Sequence, residues 1–170
     1  MNAEHGVRLN PTVLTISVLA SFILHRVAAL FLGIGPILAL VQGLLLGSAI
    51  GILSGWLWAI YSVSRRAVGR GRSGVSDWSF VVAPLIALIA GLAGGSTRNS
   101  PATLAIFAGL FVSLTLAAKG LENADDPNHN ASVARILTTA IIMYFGPVGG
   151  AWILDRKIRR VASMATDAAR

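Results

Sequence analysis

The chain contains no cysteine, and only 12% of its 170 residues are charged. Without thiols there are no disulfides, no thiolate metal sites and no cysteine nucleophile. The scarcity of charge excludes more. An ordinary soluble domain carries about 25% Asp, Glu, Lys and Arg. Here 55% of the residues are hydrophobic, and they fall in long uncharged runs of the kind that span membranes. The seven acidic residues all lie outside the apolar runs or at their ends. Proton and ion carriers usually hold a carboxylate inside the membrane, so a proton-coupled transporter or a rotor-type subunit is disfavoured. No metal-ligand cluster or nucleophile constellation is visible. Gly69-x-Gly71, with its neighbouring arginines, lacks the strand and helix that a phosphate-binding loop requires. Asp125, Asp126 and His129 have the chemistry of a cation site, but in so polar a segment they read first as a solvated acidic loop. The expectation is a non-enzyme with neither metal nor cofactor.

What is present is apolar sequence with basic flanks. The chain reads as an all-α, polytopic integral membrane protein with a single helical domain over 1–170. Helices are expected at about 11–33, 36–63, 78–95, 102–120 and 132–154. Four or five of them would be full spans, and one could be re-entrant or interfacial. A basic loop covers 64–77, a polar loop 121–131 and a basic tail 155–170. Asn10 and Pro11 suit a helix start, as cap and first-turn residue. Residues 11–62 as one helix would run about 78 Å, far beyond a hydrocarbon core of about 30 Å, so the chain must break at Gly33-Ile34-Gly35-Pro36. Trp56, Trp58 and Tyr61 are expected as an aromatic belt near the end of the second helix. Arg26 and His25 interrupt the first apolar run before Val27-Ala28-Ala29, which favours a retained membrane segment over a cleaved signal peptide.

The net charge of +7 assigns partners. Arg65, Arg66, Arg70 and Arg72 follow the second helix, and Arg156, Lys157, Arg159 and Arg160 open the tail. Cations in these places mark the cytoplasmic side and touch anionic lipid headgroups. No recognition fold accompanies them, so nucleic acid is not expected. If every helix after the arginine loop crossed, seven cations would face six across the membrane, no bias at all. One hydrophobic segment is therefore not a full span. The candidates are the short third helix and the fifth, with its Gly146-Pro147 break.

Small residues recur every four positions, which places them on nearly one helix face. The longest row is Gly43, Gly47, Gly51 and Gly55. Shorter rows include Gly91 and Gly95 on the third helix and Gly109 on the fourth. Such rows let helix backbones approach closely in lipid. A step of four drifts about 40° around the axis, so one straight partner cannot follow the whole row. The second helix should therefore touch several neighbours, within the chain or in other membrane subunits or copies of itself.

His25 and Arg26 form the only clearly ionisable pair inside an apolar run. Buried charge in a membrane is a functional hypothesis; the alternatives are the membrane-surface end of an interfacial helix and a satisfied structural histidine. The stretch Ser21-Phe-Ile-Leu-His25-Arg26-Val-Ala-Ala-Leu-Phe-Leu-Gly33 resembles the first helix of succinate dehydrogenase cytochrome b subunits. It covers about 13 of 170 residues. In that family a serine and the arginine of a His-Arg pair help form a quinone site. Here the serine stands one position too far from His-Arg, and the family's later haem-ligand histidine motif is missing.

Three functions follow as expectations. The first is a non-catalytic small subunit of a larger bacterial-type inner-membrane complex, of the secretion, conjugation or respiratory kind, acting by helix packing. The second is a homo-oligomeric channel, pore or transport element lined by the glycine-rich helix. The third is a quinone- or haem-associated anchor using Ser21, His25 and Arg26.

Overall fold

A computed structural model describes residues 11–31, 36–69, 75–92, 101–126, 128, 130–146 and 149–167. Among them every regular element is helical. In chain order these are α1 (Pro11–Phe31), α2 (Pro36–Ala67), a 3-10 turn (Val75–Trp78), α3 (Ser79–Leu92), α4 (Pro101–Asp125), α5 (Val133–Tyr144) and α6 (Gly150–Asp167). The three longest all begin on proline, whose missing N–H is no loss in a first turn. Three helical segments are long and apolar enough to cross a membrane, Pro11–Ala28, Gly43–Ala67 and Pro101–Asp125; α3 and α5 are shorter apolar helices.

Several boundaries differ from the sequence reading. The segment expected as one helix over 132–154 is two helices, parted near Gly146. α4 continues to Asp125 rather than stopping at 120, because Glu122 is held inside the bundle instead of being released into a polar loop. α2 runs on to Ala67, carrying Arg65 and Arg66 on its last turn. Residues 93–95, at the end of the expected third helix, lie outside the described residues.

Side-chain contacts fix the directions of the helices. Going down α2, Gly47 meets Leu88 and Gly51 meets Pro84. Further along, Tyr61 lies against Phe80 with ring centroids 5.4 Å apart, and Arg65 reaches Asp77 at 3.7 Å. α3 is therefore antiparallel to α2. α4 is antiparallel to α3, since Gly109 sits on Ala83 and Ser113 Oγ donates to the Ser79 carbonyl at 3.0 Å. α2 and α4 thus run in the same direction and end side by side, where Gly120 faces Tyr61 and Ser64. α2 is central: α1, α3, α4 and α6 all pack on it.

The buried core gathers toward this shared end. Leu57, Ile60 and Val63 of α2 meet Leu114, Ala117 and Leu121 of α4, with Met143 of α5 and Leu154, Ile158 and Val161 of α6. Trp56 is inside this core, 4% exposed, not in an aromatic belt. Its ring lies over Gly146, where an added methyl would come within 3.2 Å of it. By contrast α1 turns Ile16, Ile23, Leu24 and Leu30 outward, and α4 turns Leu104, Phe107 and Phe111 outward. Against lipid such faces lose nothing by exposure, and helix association there depends on close packing rather than on escape from water.

Candidate functional site

The largest concentration of polar chemistry lies at the common end of α4, α5 and α6, and it is built on Glu122. This side chain is 1% exposed by residue. The helical period sets it one turn after Ala118 and one turn before Asp125 and Asp126, on the face α4 turns toward the last two helices. Lys157 Nζ donates to Oε1 at 2.6 Å. Arg135 approaches Oε2 with Nε at 3.1 Å and with Nη2 at 3.0 Å, so two guanidinium nitrogens share this one oxygen in a charge-assisted contact. The Thr139 hydroxyl donates to Oε1.

The cluster extends outward from Glu122. Asp125 lies 3.5 Å from Lys157 and 3.2 Å from Arg160, and Asp126 lies 3.1 Å from Arg135. Three carboxylates thus meet three cations, and the set is neutral in sum. A carboxylate taken out of water is costly unless paired and hydrogen-bonded; Glu122 has three donors converging on its two oxygens. The cations come from separate elements, so the charges fasten α5 and α6 to α4.

Local chemistry prepares each partner. Ser132 caps α5, its hydroxyl accepting from the Arg135 amide at 3.4 Å. Asn123 Oδ1 accepts from the Ala131 amide at 3.1 Å, which ties the connection back to α4. Asp126 Oδ1 accepts from the Asn128 amide at 2.8 Å, closing an Asx turn. Between α5 and α6 the chain reverses through Gly146 and Gly149. Gly149 has φ +147°, which favours glycine. At Gly150 a Cβ would collide with the Ile142 carbonyl oxygen, so any side chain there forces a shift of the backbone.

The structure distributes the sequence candidates differently from a single site. Gly47 and Gly51 pack within the chain: a methyl at Gly47 would meet Leu88 Cα at 3.4 Å, and one at Gly51 would meet Pro84 at 3.9 Å. Gly109 does the same against Ala83, at 3.0 Å. Gly43 is buried, whereas Gly55 is exposed and a methyl there would meet nothing within 4 Å. Gly91 lies on α3, and Gly95, Arg70 and Arg72 lie outside the described residues. Ser21 Oγ donates to the Ser17 carbonyl at 2.9 Å. Arg26 is exposed on the apolar outer face. Five residues apart, these two project about 140° from each other and do not converge. His25 stands on α1, its side chain outside what is described.

Of the basic residues, Lys157 and Arg160 are committed to the Glu122 cluster. Arg159 pairs with Asp155 at 2.8 Å, and Arg156 is exposed on α6. Arg65 reaches Asp77 and also lies 5.7 Å from the Tyr61 ring centre; Arg66 is exposed. Asp125 and Asp126, considered for a cation, already face Arg and Lys, while His129 lies outside the described residues. Among the described residues no group of acidic, histidine or cysteine side chains is placed to hold a metal ion.

Sequence reasoning missed Glu122 because it read the residue as the start of a solvated loop. The available signal was the 3.6-residue period itself, in which Ala117, Ala118, Leu121 and Glu122 continue one buried face. No family of known proteins, no curated protein and no solved structure matches the chain.

Proposed function

We propose that this protein is a non-catalytic helical subunit of a larger membrane assembly, of the inner-membrane secretion, conjugation or respiratory type, and that it works by presenting a packed helical surface to neighbouring subunits. The observation that carries this reading is Gly55. Its row on α2 is used inside the chain at Gly47 and Gly51, where α3 closes on the backbone. One turn further, Gly55 lies open on the surface of the same central helix. Its missing side chain leaves room for a backbone to approach, and among the described residues no helix takes the position. In lipid, such contacts between small residues bring helices of different subunits together.

The test is Gly55→Leu. Gly55 is exposed and an added Cβ meets no described atom within 4 Å, so the variant should accumulate in membranes and unfold like the parent. After mild detergent extraction, native mass spectrometry should show the parent with heterologous membrane subunits and the variant without them. A variant that retains every partner would overturn the assignment of this face. A parent that runs only as copies of itself would support instead a homo-oligomeric channel or pore.

A further inference from the structure

We propose that α5 and α6 form a re-entrant hairpin that enters one leaflet from the basic side, turns at mid-membrane, and returns to the side it came from, with anionic phospholipid as its partner. This rests on the membrane reading of the helices and not on the identity of any protein partner.

The depth of the hairpin is fixed at both ends. Its open end is anchored by Arg135 and Lys157 to Glu122, close to where α2 and α4 finish. Its turn lies against Trp56, since Gly146 packs on that ring, and Trp56 stands near the middle of the Gly43–Ala67 span. α5 has 12 residues and so a length of about 18 Å. The hydrocarbon core is about 30 Å thick. The hairpin is thus long enough for one leaflet and too short for two.

Its surface chemistry is graded to match. Around the turn Ile141, Tyr144, Phe145, Trp152 and Ile153 are exposed, Ile153 by 69%. These side chains would be costly in water and are at home among acyl chains. At the open end Arg156, Arg159 and Arg160 stand outward on α6, at the level where headgroups lie. Apolar tip and cationic collar together describe a single anionic leaflet, with each surface Lys or Arg contributing about 1 kcal/mol of attraction to anionic lipid.

The hairpin also removes the charge paradox of five full spans. With α6 returning, Arg65, Arg66, Lys119, Arg135, Arg156, Lys157, Arg159 and Arg160 all gather at one end of the bundle. Among the nine Lys and Arg that are described, Arg26 alone stands nearer the other end. That is the asymmetry expected of a cytoplasmic face.

The absence of native cysteine makes the test direct. Single cysteines would be placed at Asn128, Ser163, Phe145 and Pro101 in otherwise unaltered protein, reconstituted into vesicles containing anionic phospholipid and sorted for one orientation. With a membrane-impermeant maleimide, Asn128→Cys and Ser163→Cys should label from the same side and Pro101→Cys from the opposite side. Phe145→Cys should label at least about ten-fold more slowly from either side, because a thiol in apolar surroundings stays protonated and the thiolate is the reactive form. A bimane on Phe145→Cys should be quenched by acyl-chain-brominated lipid. Labelling of Ser163→Cys from the Pro101 side would overturn the hairpin. Fast aqueous labelling at Phe145→Cys, or a protected bimane that brominated lipid does not quench, would overturn its insertion into lipid. Release of the parent protein from membranes by alkaline carbonate would instead refute the membrane reading beneath it.

Discussion

Replacing Glu122 with glutamine removes one charge and almost no volume from the place where three helices meet. The carboxylate is 2% exposed at its side chain and receives Lys157 at 2.6 Å and Arg135 at 3.0 Å. Removing one member of a buried pair costs about 3–5 kcal/mol when the other charge is stranded. Here the stranding is partial: Lys157 and Arg135 are 24% and 45% exposed and keep Asp125 and Asp126. Discounted for that solvent contact and those partners, the cost should fall to about 2–4 kcal/mol. Because α5 and α6 are fastened through this group, the loss should appear as detachment of the hairpin before the rest of the bundle unfolds. Titration with SDS in mild micelles, followed by circular dichroism and by proteolysis between residues 126 and 132, would show an earlier transition and faster cleavage. The double variant Glu122→Leu, Lys157→Leu should recover most of the loss, since a buried pair exchanged for apolar side chains is often neutral or stabilising. An unchanged midpoint and cleavage rate for Glu122→Gln, or a double variant worse than the sum of the singles, would refute the reasoning.

Two further substitutions probe the packing. Gly150→Ala drives a methyl into the Ile142 carbonyl oxygen, so it should destabilise the turn by about 1–3 kcal/mol, in the range of core overpacking; the same SDS titration reads it, and parent-like stability would mean the turn is not formed as described. Ser54→Ala removes a buried hydroxyl that has no hydrogen-bond partner among the described residues; it should be neutral or stabilising by up to about 1–3 kcal/mol, and a clear loss of stability would show that the hydroxyl has a partner.

The long helices were legible because their signals are local. Pro11 and Pro36 stand at first turns, and the uncharged runs that follow have the length of a membrane span. The second helix does touch several neighbours, α1, α3, α4 and α6, but the glycine row does not account for them: Gly47 and Gly51 both meet α3, through Leu88 and Pro84. What stayed hidden depends on residues far apart in sequence. Glu122 looks like loop until Lys157, 35 residues later, is known to lie beside it. Trp56 looks like a belt residue until Gly146 supplies the flat surface that admits its ring. Charge counting indicated that one hydrophobic segment is not a full span and named the break at Gly146-Pro147 among the candidates, but the pairing of the two helices on either side of it through Glu122 was not visible. The Ser21, His25 and Arg26 set failed for a different reason, since nearness in sequence gives no assurance of a shared helix face.

The order of residues along the chain gives the Glu122 cluster a consequence in time. The glutamate is synthesised 13 residues before Arg135 and 35 before Lys157. Glu122 therefore has no partner until α5 and α6 fold back on α4, and the closing of those two helices is what pairs it. A chain interrupted between residues 126 and 135 would carry neither Arg135 nor Lys157, and the Glu122 face of α4 would lack the two helices that cover it. The salt bridges that fasten the finished protein thus form only in a chain that carries α4, α5 and α6 together.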